Sequence, residues 1–230
     1  MLRLTPILLA LLYGYAMFRF SAWRMKQQLD AQSSELADPK LQGVLRALAR
    51  ALDVPRVRVL IHEVPTVNAL AAHDGRVFIT RGMYDKFRLG EITAEELASV
   101  IAHEIGHVAL GHSKRRMIDF SGQNALRTGL AMVLSRFIPV IGPWIAGQVI
   151  HLLTAKLSRA DEFEADAYAS ALMLKADLGI APQKEMFRKL DKMTGNRGAA
   201  IPAWFLSHPK SQERIAAIEA NEAKWVGDNA

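Results

Sequence analysis

The chain has 230 residues, no cysteine, a net charge of +6 and a pI of about 9.7. That length suits one domain with an appendage. The missing thiols exclude disulfides, iron–sulfur clusters and cysteine zinc sites. Basic residues are scattered, with Lys114-Arg115-Arg116 the only compact run and no aromatic interleaving, so nucleic acid is not an expected partner.

The N-terminus reads as a membrane anchor. Leu4 to Phe18 carries no charge, is bounded by Arg3 and Arg19, and regains apolar character through Trp23. A run of about 15 residues falls short of the ~20 that span a bilayer. Snorkelling of the two arginines, with Tyr13, Tyr15 and Trp23 at an interface, is the expected compensation. No small-x-small site follows cleanly, which favours an uncleaved single-pass anchor over residues 1–23, in a bacterial-type inner membrane, over a signal peptide. The flanking charges leave the face of the membrane that carries the rest of the chain undecided. Residues 24–38 read as a polar linker or a helix leaving the bilayer.

Residues 39–224 read as the folded domain, followed by a tail over 225–230. Leu41, Val44, Leu45 and Leu48 give Pro39 to Leu52 helical periodicity. Val57, Val59 and Ile61 alternate along a strand from Arg56 to Glu63, and Asn68 to Ala72 is a second extended piece. Asp74-Gly75 marks a tight turn, and Arg76 to Thr80 returns as another strand. A few strands followed by many helices is an α+β plan, mostly helical.

The strongest chemical signal follows. His103-Glu104-Ile105-Gly106-His107 is an H-E-x-x-H string. On a helix, positions i and i+4 lie about 40° apart, so both imidazoles reach one zinc ion at ~2.0–2.1 Å. Glu104, one position on, stands beside the open side of the metal as a base. Thr93-Ala94-Glu95-Glu96 is a capping box, Leu97, Val100, Ile101, Ile105 and Val108 give the helix a buried side, and Gly111 is a plausible stop. His112 is out of register for the third ligand of H-E-x-x-H-x-x-G-x-x-H. On a continuing helix it points away, which suggests a structural role.

Gly129 to Leu153 is apolar but interrupted by Arg136, Pro139, Gly142 and Pro143, so a helical hairpin turning at 139–143 is expected rather than a span. Beyond it, Ser158 to Ala169 reads as a helix with Glu162 and Asp166 on one face and Glu164 turned elsewhere. One carboxylate as ligand and a second gripping a ligand imidazole is one reading; an acidic, solvated face is the other. Spacing alone leaves both open.

The strings HEIGHVALGH, SRADEFEADAYA and SHPKSQER together resemble the HtpX-type membrane-associated zinc metalloendopeptidases, relatives of the CAAX prenyl endopeptidases. The resemblance runs from about residue 40 to 222. It implies a zincin-like (gluzincin) domain with one Zn2+ held by His103, His107 and Glu162, and with Asp166 behind a ligand imidazole. It also marks Asn68, Ala69, Leu70 and Ala71 as a substrate edge strand, where the usual N-A-F-A is N-A-L-A here. In Leu206 to Arg214, the matching His208 is a donor to the oxyanion, a reversible fourth ligand or a plain cap, and Arg214 helps hold the site. Polypeptides, unfolded or membrane-associated, are the implied substrates, the bilayer the implied surroundings, and protein quality control the implied role. The rival class is a non-catalytic, zinc-stabilised, chaperone-like binder, against which an intact Glu104 argues. A metal-dependent hydrolase of non-peptide bonds shares the same site.

Overall fold

The computed structural model describes residues 5–72, 74–112, 134–138, 141–195 and 211–227. It contains helix α1 (Thr5–Ala31), strand β1 (Ser33–Glu35), helix α2 (Pro39–Ala51), strands β2 (Val59–His62), β3 (Ala69–Ala71) and β4 (Val77–Thr80), and helices α3 (Arg81–Arg88) and α4 (Ala94–Ala109). Among the described residues there follow helices α5 (Gly142–Lys175), α6 (Ala181–Gly195) and α7 (Ser211–Gly227).

The expected single-pass anchor does not stand. Among the described residues, no helix is long and apolar enough to cross a membrane. At 1.5 Å per residue, a 15-residue uncharged run covers about 22 Å of a hydrocarbon core roughly 30 Å thick. Past Phe18, α1 carries Arg19, Arg24, Lys26 and Asp30. Its last turn belongs to the domain instead: Leu29 is buried, and Asp30 meets the Arg76 guanidinium at 2.7 Å. The inner-membrane placement falls with the anchor.

The sheet has the order β1-β2-β4-β3 and is mixed. β1 and β3 run antiparallel to their neighbours, whereas β2 and β4 are parallel, with Val59 opposite Val77 and Ile61 opposite Ile79. A parallel pair needs a crossover. Here residues 63–76 supply it, and they include β3, which returns beside β4 through the turn at Gly75 (φ +82°). β1 lies inside the segment expected as linker or helix. Three polar residues carry no alternation, and β1 is held by pairing Ser33 with His62 and Glu35 with Leu60.

Asp38 caps α2 by accepting from the Lys40 amide at 2.9 Å, with Pro39 in the first turn, where a missing N–H costs nothing. The buried face of α2 (Leu41, Val44, Leu48) joins Val59, Ile61, Val77 and Ile79 of the sheet and Leu97, Val100 and Ile101 of α4 in one core. Met173, Met186 and Leu190 close it from α5 and α6.

The hairpin expected over 129–153 falls partly outside the described residues. Residues 134–137 are helical, and α5 opens at Gly142. From there a single helix of 34 residues runs through the acidic string, so the apolar stretch and the E-x-x-x-D segment share one rod.

Candidate metal centre

α4 crosses α5 at Gly106. A Cβ built there would lie 3.1 Å from the Ala165 carbonyl oxygen and 3.3 Å from Ala165 Cα. Glycine in the middle of H-E-x-x-H, opposite a small residue, lets the two backbones approach closely. That approach carries Glu162 and Asp166, one turn apart on α5, up to the imidazoles of α4. The start of α4 is set by the capping box: Glu96 N–H donates to Thr93 Oγ1 at 3.2 Å and Thr93 N–H to Glu96 Oε2 at 2.7 Å. Lys189 of α6 reaches Glu96 at 2.8 Å and ties that cap to the helix below.

His103, His107 and Glu162 converge in the buried interior. His103 Nε2 and His107 Nε2 stand 3.1 Å apart, His103 Nε2 lies 3.4 Å from Glu162 Oε2, and His107 Nε2 lies 3.5 Å from Glu162 Oε1. A tetrahedron with bonds of ~2.0–2.1 Å has edges of about 3.3 Å. The three donors thus already stand at the spacing that one such ion requires. Electrostatics agree. Burial works against a charge on His103, yet hydrogen bonds to Asp166 and Glu162 prevail and push its pKa up to about 9. A pocket that holds a proton so firmly suits a cation.

Behind His103 stands a second layer of charge. His103 Nδ1 lies 2.9 Å from Asp166 Oδ1. Arg214 of α7 grips that carboxylate with two bonds, Nε to Oδ2 and Nη2 to Oδ1, both 2.6 Å. Arg214 Nη1 is also 3.5 Å from Glu162 Oε2, and its Cζ sits 4.4 Å from the Phe187 ring centroid. Burial raises the Asp166 pKa, but the Arg214 charge and hydrogen bonds outweigh it and hold the carboxyl below its usual range. Arg214 is penalised by burial too, and the carboxylates of Asp166, Glu162 and Glu104 more than restore its basicity. The backbone carbonyl of Asp166 accepts from Ser170 Oγ at 2.9 Å and Gln183 Nε2 at 3.2 Å, which locks that turn of α5 onto α6.

Glu104 follows His103 in α4 and is buried, and its charge reaches Arg214. Asn68 to Ala71 lie at the sheet end, where α4 packs against β3. His208 lies outside the described residues.

One element was not anticipated. α4 stops at Ala109, and Gly111 adopts φ +70°. His112 is thereby buried with its Nδ1 2.9 Å from His107 Nδ1 and its Nε2 3.1 Å from Glu164 Oε2. The assumption of a continuing helix hid this contact. The signal was Gly111 itself, since a left-handed residue just before His112 reverses the direction in which that side chain leaves the helix.

Two imidazoles on one helix, a carboxylate from a crossing helix and a neighbouring glutamate form the arrangement of a metallopeptidase centre. Comparison with known proteins reaches the same class and sharpens it. Residues 35–222 match Peptidase family M48, and the chain belongs to that family. It is similar to the metalloprotease LoiP of Escherichia coli, with 30% identity over 84% of this chain and 73% of the relative. It is similar also to the protease HtpX of Alkalilimnicola ehrlichii, with 26% identity over 89% and 77%. The mitochondrial metalloendopeptidase OMA1 of Schizosaccharomyces pombe is 29% identical over 79% of this chain and 52% of its own length. The protein is a metalloendopeptidase, a hydrolase with a metal cofactor and peptide substrates.

Proposed function

We propose that the metal is zinc, held by His103, His107 and Glu162, and that Glu104 is the general base for peptide hydrolysis. The observation that carries this is the convergence of three buried donor atoms at 3.1, 3.4 and 3.5 Å. When bound, zinc polarises the scissile carbonyl and acidifies water in its reach. Glu104 takes the proton of the attacking water and passes it to the leaving amine. Asp166 fixes the tautomer of His103 so that the Nε2 lone pair faces its two companions, and Arg214 holds Asp166 in place.

Substrate binds along β3. In the antiparallel register Ala69↔Ile79, Leu70↔Phe78 and Ala71↔Val77, residues 68, 70 and 72 direct their amide groups toward β4. Residues 69 and 71 therefore face the outer edge. Asn68 Oδ1 accepts from the Ala69 N–H at 2.9 Å, so Ala71 is the position that offers both N–H and C=O to an added strand. Main-chain pairing tolerates many sequences, which suits unfolded polypeptides and a role in protein quality control. A purely structural zinc clasp, as in a chaperone-like binder, gives no use to Glu104.

Glu104→Gln should keep bound zinc and lose cleavage of an unfolded protein by about 10²- to 10⁴-fold. Glu162→Ala should lose both zinc and cleavage. Unimpaired proteolysis in either variant, with zinc content measured alongside, rejects the assignment.

A further inference from the structure

We propose that His112 is a positioning residue for the metal centre: it holds His107 in the tautomer that presents Nε2 to the ion, and Glu164 anchors it from behind. The inference rests on the zinc reading above and concerns the second imidazole, His107. His103 is oriented by a carboxylate directly. His107 meets another imidazole, Nδ1 to Nδ1 at 2.9 Å, with both rings buried.

Two ring nitrogens at that distance share one hydrogen, and the surroundings decide who donates it. With His107 Nε2 on the metal, neutral His107 carries its hydrogen on Nδ1 and donates to a bare His112 Nδ1. Neutral His112 then carries its hydrogen on Nε2, where Glu164 Oε2 waits at 3.1 Å to accept it. Each donor in the chain His107–His112–Glu164 meets an acceptor. The reverse direction places the His107 hydrogen on Nε2, inside the ring of donors, at 3.1 Å from His103 Nε2. It also sets a bare His112 Nε2 against a carboxylate oxygen, lone pair against lone pair. Geometry therefore favours one direction, the one that leaves His107 Nε2 open.

The same reasoning rules on a rival use of these residues. His112, Asp161 and Glu164 offer atoms that lie within 4.8 Å of one another, a spacing that could hold a cation of its own. His112 Nε2 must be bare to ligate, yet it carries a hydrogen whenever His107 serves the first metal. Asp161 Oδ1, 3.9 Å from His112 Nε2, adds negative charge on that same side and favours the donor tautomer further. Among the described residues, one metal site then remains.

The test uses the full chain. Zinc affinity, by competition with a chromogenic chelator, should fall about 10- to 100-fold in His112→Ala. His112→Asn should recover most of that loss, because its Oδ1 stands near the position of Nδ1 and accepts from His107. A buried group of merely structural value gives no such rescue. In the 15N-histidine spectrum of the zinc-loaded wild type, His107 should be the Nδ1–H tautomer and His112 the Nε2–H tautomer. That spectrum decides the matter even if His112→Ala fails to fold. Protonation of His112 at Nδ1 overturns the inference, as does a well-folded His112→Ala with wild-type affinity. A second zinc equivalent that Glu164→Gln abolishes also overturns it. If the wild type binds no zinc, the reading beneath it fails as well; if it binds zinc but His112 shows the other tautomer, only this inference fails.

Discussion

Arg214→Met probes the charge layer behind the metal centre. The native guanidinium is 1% exposed and makes two 2.6 Å bonds to Asp166, which is itself 2% exposed. Methionine keeps much of the volume and the packing on Phe187, so the loss is chiefly electrostatic. Removing one partner of a buried ion pair costs about 3–5 kcal/mol, because the remaining charge stays buried and uncompensated. Here Asp166 keeps only part of its support, from His103 at 2.9 Å. In a domain of this size each kcal/mol moves Tm by about 2–4 °C, so the metal-free protein should melt roughly 6–20 °C lower. Arg214→Lys should recover only part of the loss, since an ammonium restores the charge but not the two-pronged grip. Thermal and urea unfolding of the metal-free chains measure this. A loss below about 1 kcal/mol, the scale of an exposed ion pair, refutes the claim that the centre rests on a buried one.

Gly106→Leu should force α4 from α5, because even a Cβ there lies 3.1 Å from backbone oxygen; zinc affinity should collapse while far-UV circular dichroism changes little. Ala71→Pro removes the outward N–H of β3 and should cut kcat/KM on unfolded substrates by about tenfold or more, with zinc content unchanged. Zinc binding should release a proton at pH 7.5, because His103, held up to about 9 without metal, must be neutral to ligate. Affinity should thus climb about tenfold per pH unit and level off near pH 9, as calorimetry in buffers of different ionisation enthalpy would record. Stability of the metal-free protein runs the other way: the raised His103 pKa stabilises it fully below the unfolded value of 6.5, and that contribution vanishes as pH rises through 9.

The fold was legible where periodicity is strong. α2 and the strands at Val59, Ala69 and Val77 follow from apolar spacing and turn residues, within one residue of their observed ends except at the start of β2, expected at Arg56 and found at Val59. β1 carries no such pattern: Ser33, Ser34 and Glu35 are a strand only because β2 offers a ladder to pair with. The N-terminal run misled for a related reason. Apolar composition suggested a bilayer, but length decides spanning, and the charges past Phe18 cut the run short. The same helix then ends in Leu29 and Asp30, whose partners in the domain no hydropathy count reveals.

At the centre, what sequence disclosed was what one helix can hold. H-E-x-x-H fixes two imidazoles by helical geometry alone, and spacing put Glu162 and Asp166 on a shared face. Spacing alone could not say that this face meets α4, as the resemblance implied, because the meeting depends on Gly106 opposite Ala165, a match between residues far apart in the chain. The resemblance assigned Arg214 to holding the site, but spacing alone left a surface ion pair as open as a grip on Asp166, a choice that depends on α7 folding back across α5. His112 is the sharpest case. Its distance in sequence from His107 is five residues, and a continuing helix would turn it away. One left-handed glycine reverses that, and the two imidazoles end 2.9 Å apart at their Nδ1 atoms. The two imidazoles and the shared acidic face were thus written in local pattern and the choice of Glu162 in the family resemblance, while the contacts around them were written in where helices stop and cross. Substitutions among the orienting residues should therefore grade metal affinity, whereas substitutions among the ligands abolish it.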